Sequence, residues 1–445
     1  MQAVSKSPVN IPLFCLFALV IFLSRVPFLT PGYGESDAWR VANTARDISL
    51  QGHYSASRHP GHFVQEMACS FFWRGGDVAL NGLTAVFSVV AAVFFALILK
   101  EISCREYLLA SLALAFTPVI YIKSCESIDY IWSLALFLAS IYYFLIERPR
   151  IAGVCLGLAI GCRLTMIFMV FPVGILSLKS GRIKDFIIYA ALSIIVGGAA
   201  FIPYIDHYGW SIFFSWSAHA KALQTYPSLS HLFKMITLDI WGSIGWAVIL
   251  ITVLVTCLMP SRFREPDPAL RVASRFDQTA WLTGFFLFFV LFFLFPTKAF
   301  FLTPCIPFVI IFLAQTLDRS IFIIVCLALV FSSFIHIDRA GAHRGPIFEN
   351  KMHRAERIEK ARRIISKVDQ LSGKSIVVCG SLSPLINNIS AADTGKVVKY
   401  ITNLSKPQID KYRKRGFKVY CLRGVDEMVL KRYGIDPNDY GVWKL

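Results

Sequence analysis

The 445-residue chain is 56% hydrophobic and 16% charged, with 45 Lys and Arg against 28 Asp and Glu, a formal charge of +17. Soluble domains carry roughly a quarter charged residues, so this balance argues against a soluble enzyme, a disordered chain or a secreted disulfide scaffold. The basic excess sits mostly in short breaks between apolar runs, which marks membrane topology and gives no reason to expect a nucleic-acid partner.

In chain order, apolar runs long enough to span recur at 11–29, 78–99, 107–122, 128–146, 186–205, 238–259, 279–296, 299–316 and 320–337, against the ~20 residues needed to cross hydrocarbon. The first run lacks a small-residue cleavage site and is followed by further spans, so it is expected to persist as a helix. Residues 151–178 carry Arg163 near their middle. Arg148 and Arg150 flank them on one side, and Lys179, Arg182 and Lys184 on the other. Both flanks read as cytoplasmic, and two short helices meeting near Arg163 keep both inside, which brings the expectation to eleven passes. Residues 30–77, 123–127, 206–237, 297–298 and everything after about 338 then face outward. Inner segments hold about thirteen Lys and Arg over roughly fifty residues, against about eight over nearly ninety in the outer loops before the last helix.

The fold class expected is therefore a polytopic α-helical membrane protein of about eleven transmembrane helices with a small C-terminal α/β extracytoplasmic domain. Residues 1–337 would form the membrane unit and 338–445 the second unit. In the outer loop 30–77, helical spacing of apolar residues predicts interfacial helices from Ser36 or Asp37 to Leu50 and from Gly61 to Phe72. Residues 206–237, with Tyr208, Trp210, Trp216 and Tyr226, suit the headgroup layer. The tail reads as a helix over Ala355–Leu371, strands at Ser375–Cys379, Val397–Ile401 and Phe417–Leu422, and helices at Lys406–Arg415 and Asp426–Tyr433. Most cysteines lie in apolar runs and no CxxC pair occurs. Cys379 and Cys421 could pair if the tail faces an oxidising compartment.

Candidate chemistry gathers in the outer connections. Glu35 and Asp37 stand just beyond the first helix, where a carboxylate can take a proton from an acceptor while open to a lipid-borne substrate. Ser36 or Asp37 could equally cap the helix that follows. Arg58 and His59, held in a bend by Pro60 and Gly61, could clamp a phosphate or simply meet lipid headgroups. Arg163, inside an apolar hairpin, needs an anion: either an acid such as Glu126 or Asp129, or a polyprenyl phosphate. Glu126 and Asp129 could hold a divalent cation, tune the charge of Asp37 or serve the helix N-terminus. Lys298 adds a cation near the same face, or snorkels.

The sequence resembles the GT-C superfamily of integral membrane glycosyltransferases, especially bacterial relatives of the protein O-mannosyltransferases and of the lipid A aminoarabinose transferase. The likeness covers most of residues 11–316. It rests on Ser24-Arg-Val-Pro27, Glu35-Ser-Asp37, Gly52-His-Tyr54, Arg58-His-Pro-Gly61, Asp129, Gly153-Val-Cys-Leu-Gly157, Cys162-Arg-Leu-Thr165, and Pro296-Thr-Lys298 through Pro304-Cys-Ile-Pro307. The resemblance implies Asp37 as the catalytic or acceptor-binding carboxylate and Asp129 as a second acid linked to substrate or metal. Arg58, His59, Arg163 and Lys298 are the implied contacts to the phosphate of a polyprenyl-phosphate sugar. Glu-Ser-Asp stands where many relatives have adjacent acids, so Glu35 and Asp37 could exchange roles. No Asp-x-Asp occurs in the first loop, which weakens a metal-dependent oligosaccharyltransferase reading. The implied activity is sugar transfer, inverting, to an extracytoplasmic lipid, glycan or protein acceptor at a bacterial inner membrane. A lipid-linked sugar flippase or transporter and a non-catalytic scaffold are the alternatives; the first should show broken helices or related halves near the midplane, and the sequence shows no clear internal duplication.

Overall fold

The computed structural model describes residues 10–211, 227–258, 278–294, 296–338, 340–370, 373–390, 398–402 and 406–421. Helix α1 (Ile11–Arg25) starts where the Asn10 side chain accepts the Leu13 N–H at 3.1 Å and ends before Pro27. Its last residue, Arg25, is fully buried, with its guanidinium over the rings of Phe116 and Tyr121 and its N–H groups on Ala115 O and the Ser124 hydroxyl. The loop helices are α2 (Ser36–Gln51), closed by Gly52 in the left-handed region, and α3 (Phe63–Phe72). They agree with the periodicity of loop 30–77 to within a residue or two.

The membrane helices follow as α4 (Gly76–Glu101), α5 (Tyr107–Phe116), α6 (Pro118–Ser124), α7 (Asp129–Leu145), α8 (Pro149–Cys162), α9 (Val170–Lys179) and α10 (Ile183–Tyr208). Among the described residues five helical segments are long and apolar enough to cross a membrane. They number six if α5 and α6, bent 68° apart at Thr117-Pro118, count as one. The remaining apolar helices are shorter, so a total of eleven depends on those shorter helices also crossing. The expected break at 151–178 is present: α8 stops at Cys162, Arg163 is extended, and a 3-10 turn (Leu164–Met169) leads into α9. The run 107–122, expected as one span, is broken because the residue before a proline is pushed out of the helical region.

Small residues fix the position of Arg163. A Cβ on Gly153 would lie 2.7 Å from Tyr189 O, and one on Gly157 2.5 Å from Val196 Cβ, so α8 and α10 meet backbone to backbone along a Gly-xxx-Gly stripe. The second half adds α11 (Leu229–Ile236), α12 (Leu238–Leu258), α13 (Gln278–Leu294), a 3-10 segment (Ala299–Cys305), α14 (Ile306–Thr316) and α15 (Arg319–Ser332). Gly242, at φ +68°, breaks α12 near its start beside Ser332, which donates to Trp241 O at 2.6 Å.

Two boundaries differ from expectation. The run 320–337 leaves the helix at Ser332, and Ile335–Asp338 (β1) pairs antiparallel with Gly341–Arg344 (β2). The tail helix α16 runs from Pro346 to Val368, starting nine residues before the expected Ala355, with Pro346 in its first turn where a missing N–H costs nothing. Beyond it, β3 (Ser375–Val378) lies between β4 (Val398–Ile401) and β5 (Lys418–Cys421), all parallel. Helices α17 (Ser383–Ser390) and α18 (Lys406–Lys414) complete the small α/β unit. Its central strand is wholly buried, as its unbroken apolar run predicts. Val378 stands opposite Cys421 in the sheet, but the Cys421 side chain lies outside the described residues, as do Trp216, Tyr226 and the expected helix at 426–433. Trp39 of α2 packs into the core of this tail unit with Ala361, Ile364 and Leu385.

Candidate active site

Two acidic segments meet where the loop after α1 passes the turn between α6 and α7. Ser127 N–H donates to Tyr33 O at 3.1 Å, and Gly34, at φ +124°, lies where a Cβ would fall 2.6 Å from the Glu126 side chain. Only a glycine permits both that backbone conformation and that approach. Helix α2 then begins with Glu35 at its N-cap, and no side chain caps it. Asp37 is therefore not the cap that its position allowed; its carboxylate turns to cations instead.

Lys298 Nζ lies 2.7 Å from Asp37 Oδ2 and 3.1 Å from Glu35 Oε2, and Arg58 Nη1 reaches Asp37 Oδ2 at 3.0 Å. The other terminal nitrogen of Arg58 lies 2.7 Å from Oδ1 of the fully buried Asp129, whose Oδ2 takes Arg163 Nη1 at 2.9 Å. The Arg163 guanidinium lies over Tyr130 and Phe301, 4.1 and 4.9 Å from their ring centres. Lys123 Nζ joins Glu126 Oε2 at 2.7 Å and approaches Glu35 Oε1 at 3.5 Å. Asp37, Asp129, Arg58, Arg163, Lys298, Glu35, Lys123 and Glu126 thus form one continuous network, and the guanidinium–acid pairing expected for Arg163 is with Asp129.

His59 stands apart: its Nδ1 is 2.5 Å from the Tyr204 hydroxyl, beside Tyr208. Behind the cluster, His62 Nδ1 lies 2.7 Å from Cys162 O, joining the first loop to the end of α8. Glu66, fully buried, accepts from the Tyr54 hydroxyl, Ser57 N–H and the Ser57 hydroxyl, and so shapes the bend that presents Arg58.

The charges set one another's protonation. Burial pulls the Asp37 carboxyl upward, but Arg58, Lys298 and Arg40 outweigh it and hold the group well below the usual carboxylate range. For Glu126, burial is likewise overridden, by Lys123 and Arg354, and its pKa is lowered. Arg58 is raised, because Asp129 and Asp37 outweigh its own burial. His59 and His62 are lowered, His62 because desolvation exceeds the pull of Asp129. A carboxylate with a depressed pKa stabilises the fold fully above its unfolded value, about 4, and loses that contribution as pH falls through the lower folded value. Thermal melts of the detergent-solubilised protein should therefore show the Asp37 and Glu126 contributions intact from pH 7 to 5, declining progressively below about pH 4 and gone only once the pH has fallen past the depressed folded values.

A cavity of 640 Å³ opens beside this network, with Glu35 and Lys298 at its edge. Asp37 lies one contact behind, against Lys298. The cavity wall also carries Lys123, Lys234, three histidines (His231, His336 and His353) and the acids Asp239 and Glu349, set among apolar residues such as Val119, Ile122, Met235, Leu238 and Phe300. The sequence reading did not single out His231, Lys234, His336 or His353. They come from three elements distant in sequence, α11 (His231 and Lys234), β1 (His336) and α16 (His353), and no local motif marks them. Among the described residues no group of three or more His, Cys, Asp or Glu side chains is placed to hold a metal ion. The site carboxylates are each engaged by Lys or Arg.

An apolar helical bundle, a long loop after the first helix bearing acids against buried arginines, and a small C-terminal α/β unit make up a fold shared with solved membrane-protein structures. Solved structures it matches include two of ArnT from Cupriavidus metallidurans. The form bound to undecaprenyl phosphate superposes with a TM-score of 0.56 at 12% identity, over 91% of this chain and 90% of that one. The apo form gives 0.57 at 11% identity, over 95% and 94%. No protein-family model matches the chain, and no curated protein matches it in sequence.

Proposed function

We propose that the protein transfers a sugar from a polyprenyl-phosphate donor to an acceptor on the outer face of a bacterial inner membrane. The observation that carries this is Lys298, a cation shared by Glu35 and Asp37 at the edge of a cavity also lined by Lys123 and Lys234, in a fold like that of a protein seen bound to undecaprenyl phosphate. The apolar helices would hold the isoprenoid tail, and the phosphate would meet Lys298, in a cavity that Lys234 and His231 also line. Arg58 and Arg163, bound to Asp129, would set the field behind it.

In the resting geometry Asp37 is a weak base, because its pKa is depressed and efficient general bases titrate near the working pH. A donor phosphate that draws Lys298 away removes one of the charges responsible and raises the basicity of Asp37 as the substrate arrives. The acceptor heteroatom then attacks the anomeric carbon and its proton passes to Asp37. The bond from that carbon to the phosphate oxygen breaks, and polyprenyl phosphate leaves with the electron pair. A single displacement inverts the centre. The charge on the departing oxygen is greater in the transition state than in the bound donor, so Lys298 stabilises that state more than the bound donor.

Lys298→Gln tests the assignment. Removing the ammonium should weaken binding of undecaprenyl phosphate by about tenfold or more, as a charge-assisted contact of about 1.5–3 kcal/mol implies. It should also move the acid limb of the kcat/KM profile to higher pH, because Asp37 loses a cation. Unchanged affinity in a titration with undecaprenyl phosphate in detergent would remove Lys298 from the donor site.

A further inference from the structure

The outer α/β unit reaches into the site. Three successive turns of α16, at Asn350, Arg354 and Ile358, lie on one helix face at i, i+4 and i+8, and each touches an acidic segment. Asn350 Nδ2 donates to Glu126 Oε1 at 3.0 Å, and Glu126 leads through Lys123 to Glu35. Ile358 packs where a Cβ on Gly32 would lie, 2.8 Å away.

Arg354 is the centre of this face. It is 4% exposed, and its guanidinium donates to Cys125 O at 2.9 Å, Phe28 O at 2.5 Å and Thr30 O at 3.1 Å. Cys125 immediately precedes Glu126, and Phe28 and Thr30 lead into Glu35-Ser-Asp37. One planar, always-charged fork therefore ties together the backbones of the two segments that carry the site's acids. Nearby contacts strengthen the seam: Lys351 Nζ to Pro27 O at 2.8 Å, and Asn43 of α2 to Pro384 O and the Asn388 amide at 2.9 and 2.8 Å.

We propose that Arg354 is a positioning residue that holds the two acidic loops in register, so that the outer unit completes the catalytic site and is no separate appendage. This rests on the glycosyl-transfer reading. Arg354 touches no reacting atom in this scheme; it acts through Glu126, Lys123 and Glu35, and through the backbone leading to Asp37. Lysine keeps the charge but cannot reach three carbonyls at once, so Arg354→Lys separates register from charge.

The test uses the full-length protein in detergent or nanodiscs, with hydrogen exchange read beside turnover. Arg354→Lys should raise amide exchange in residues 28–36 and 123–128 together, with exchange in α8 and α10 unchanged. It should also lower kcat by about 10²-fold, the scale of an ångström-sized misplacement, with KM for the donor within about threefold. Asn350→Ala, a milder lesion beside the cavity, should show the same kcat-weighted loss on a smaller scale. Loops that loosen while kcat holds would overturn the positioning role. Exchange unchanged in both loops would overturn the clamp, whatever the activity. Loops that loosen together in a protein that consumes no polyprenyl-phosphate sugar would sink the transfer reading and leave the clamp standing.

Discussion

Asp37→Asn should abolish most transfer while sparing the fold and the donor. The amide keeps the shape of the carboxylate but cannot accept the acceptor's proton, and losses of about 10²–10⁴-fold accompany removal of a general base. Because Lys298 and Arg58 lose an anionic partner, affinity for the donor phosphate should hold or rise, so the defect should fall on kcat. Glu35→Gln provides the contrast. Glu35 shares Lys298 with Asp37 and borders the cavity, but it does not contact Arg58, so its loss should cost less. Steady-state turnover of the two variants decides between them: a full defect in Glu35→Gln with a mild one in Asp37→Asn would reverse the assignment.

Asp129→Ala should be the most damaging single change to stability. The carboxylate is fully buried and is the anion between Arg58 and Arg163. Removing it leaves Arg163 in a low-dielectric interior without its acid and Arg58 with Asp37 alone, a loss of about 3–5 kcal/mol. That is a large share of a net stability of about 5–15 kcal/mol, so poor yield and a sharply lowered Tm in detergent are expected. Adding Arg163→Met should restore part of the loss, because an apolar side chain between Tyr130 and Phe301 needs no counter-charge. A double variant no more stable than the single one would mean that Asp129 serves the fold through something other than these cations.

Much of this architecture is legible in the sequence, and the exceptions have physical causes. Hydropathy alone marks the apolar runs, since hydrocarbon demands long uncharged segments. The break at Arg163 is legible because a lone arginine inside an apolar hairpin has to find an anion. Asp129 is its partner, as one of the two readings of that arginine required. The helices over 36–51 and 63–72 show their periodicity openly. Where one residue type has to serve two structures, the signal fails. The apolar character of Ile335 and Ile337 continues the last membrane run without a break, which hides the β1–β2 hairpin. The segment Pro346–Arg354 mixes apolar and charged residues, and its register becomes clear only against the loops it clamps. That is why Asn350 and Arg354 escape a reading that begins the helix at Ala355.

The site follows the same division. Glu35, Asp37, Asp129, Arg58, Arg163 and Lys298 stand out because charge is scarce in an apolar chain, and the structure joins all of them in one network. Lys123 and Glu126 lie within the same run of sequence, and their link to Glu35 completes it. His59 shares the bend with Arg58 but turns to Tyr204 and Tyr208, since neighbours at i and i+1 face different ways. The cavity histidines, spread from His231 to His353, belong to elements distant in sequence. Their convergence depends on tertiary packing that no spacing rule reports.

Under the proposed function, this cluster breaks the bond between a sugar and a polyprenyl phosphate. The direct measurement incubates purified wild-type protein in nanodiscs with radiolabelled polyprenyl-phosphate sugars and membrane extract, and follows release of free polyprenyl phosphate together with label on an acceptor. Release matched by labelled acceptor, and lost in Asp37→Asn, is the predicted result. Donor that binds and stays intact, or that only changes leaflet, would contradict it.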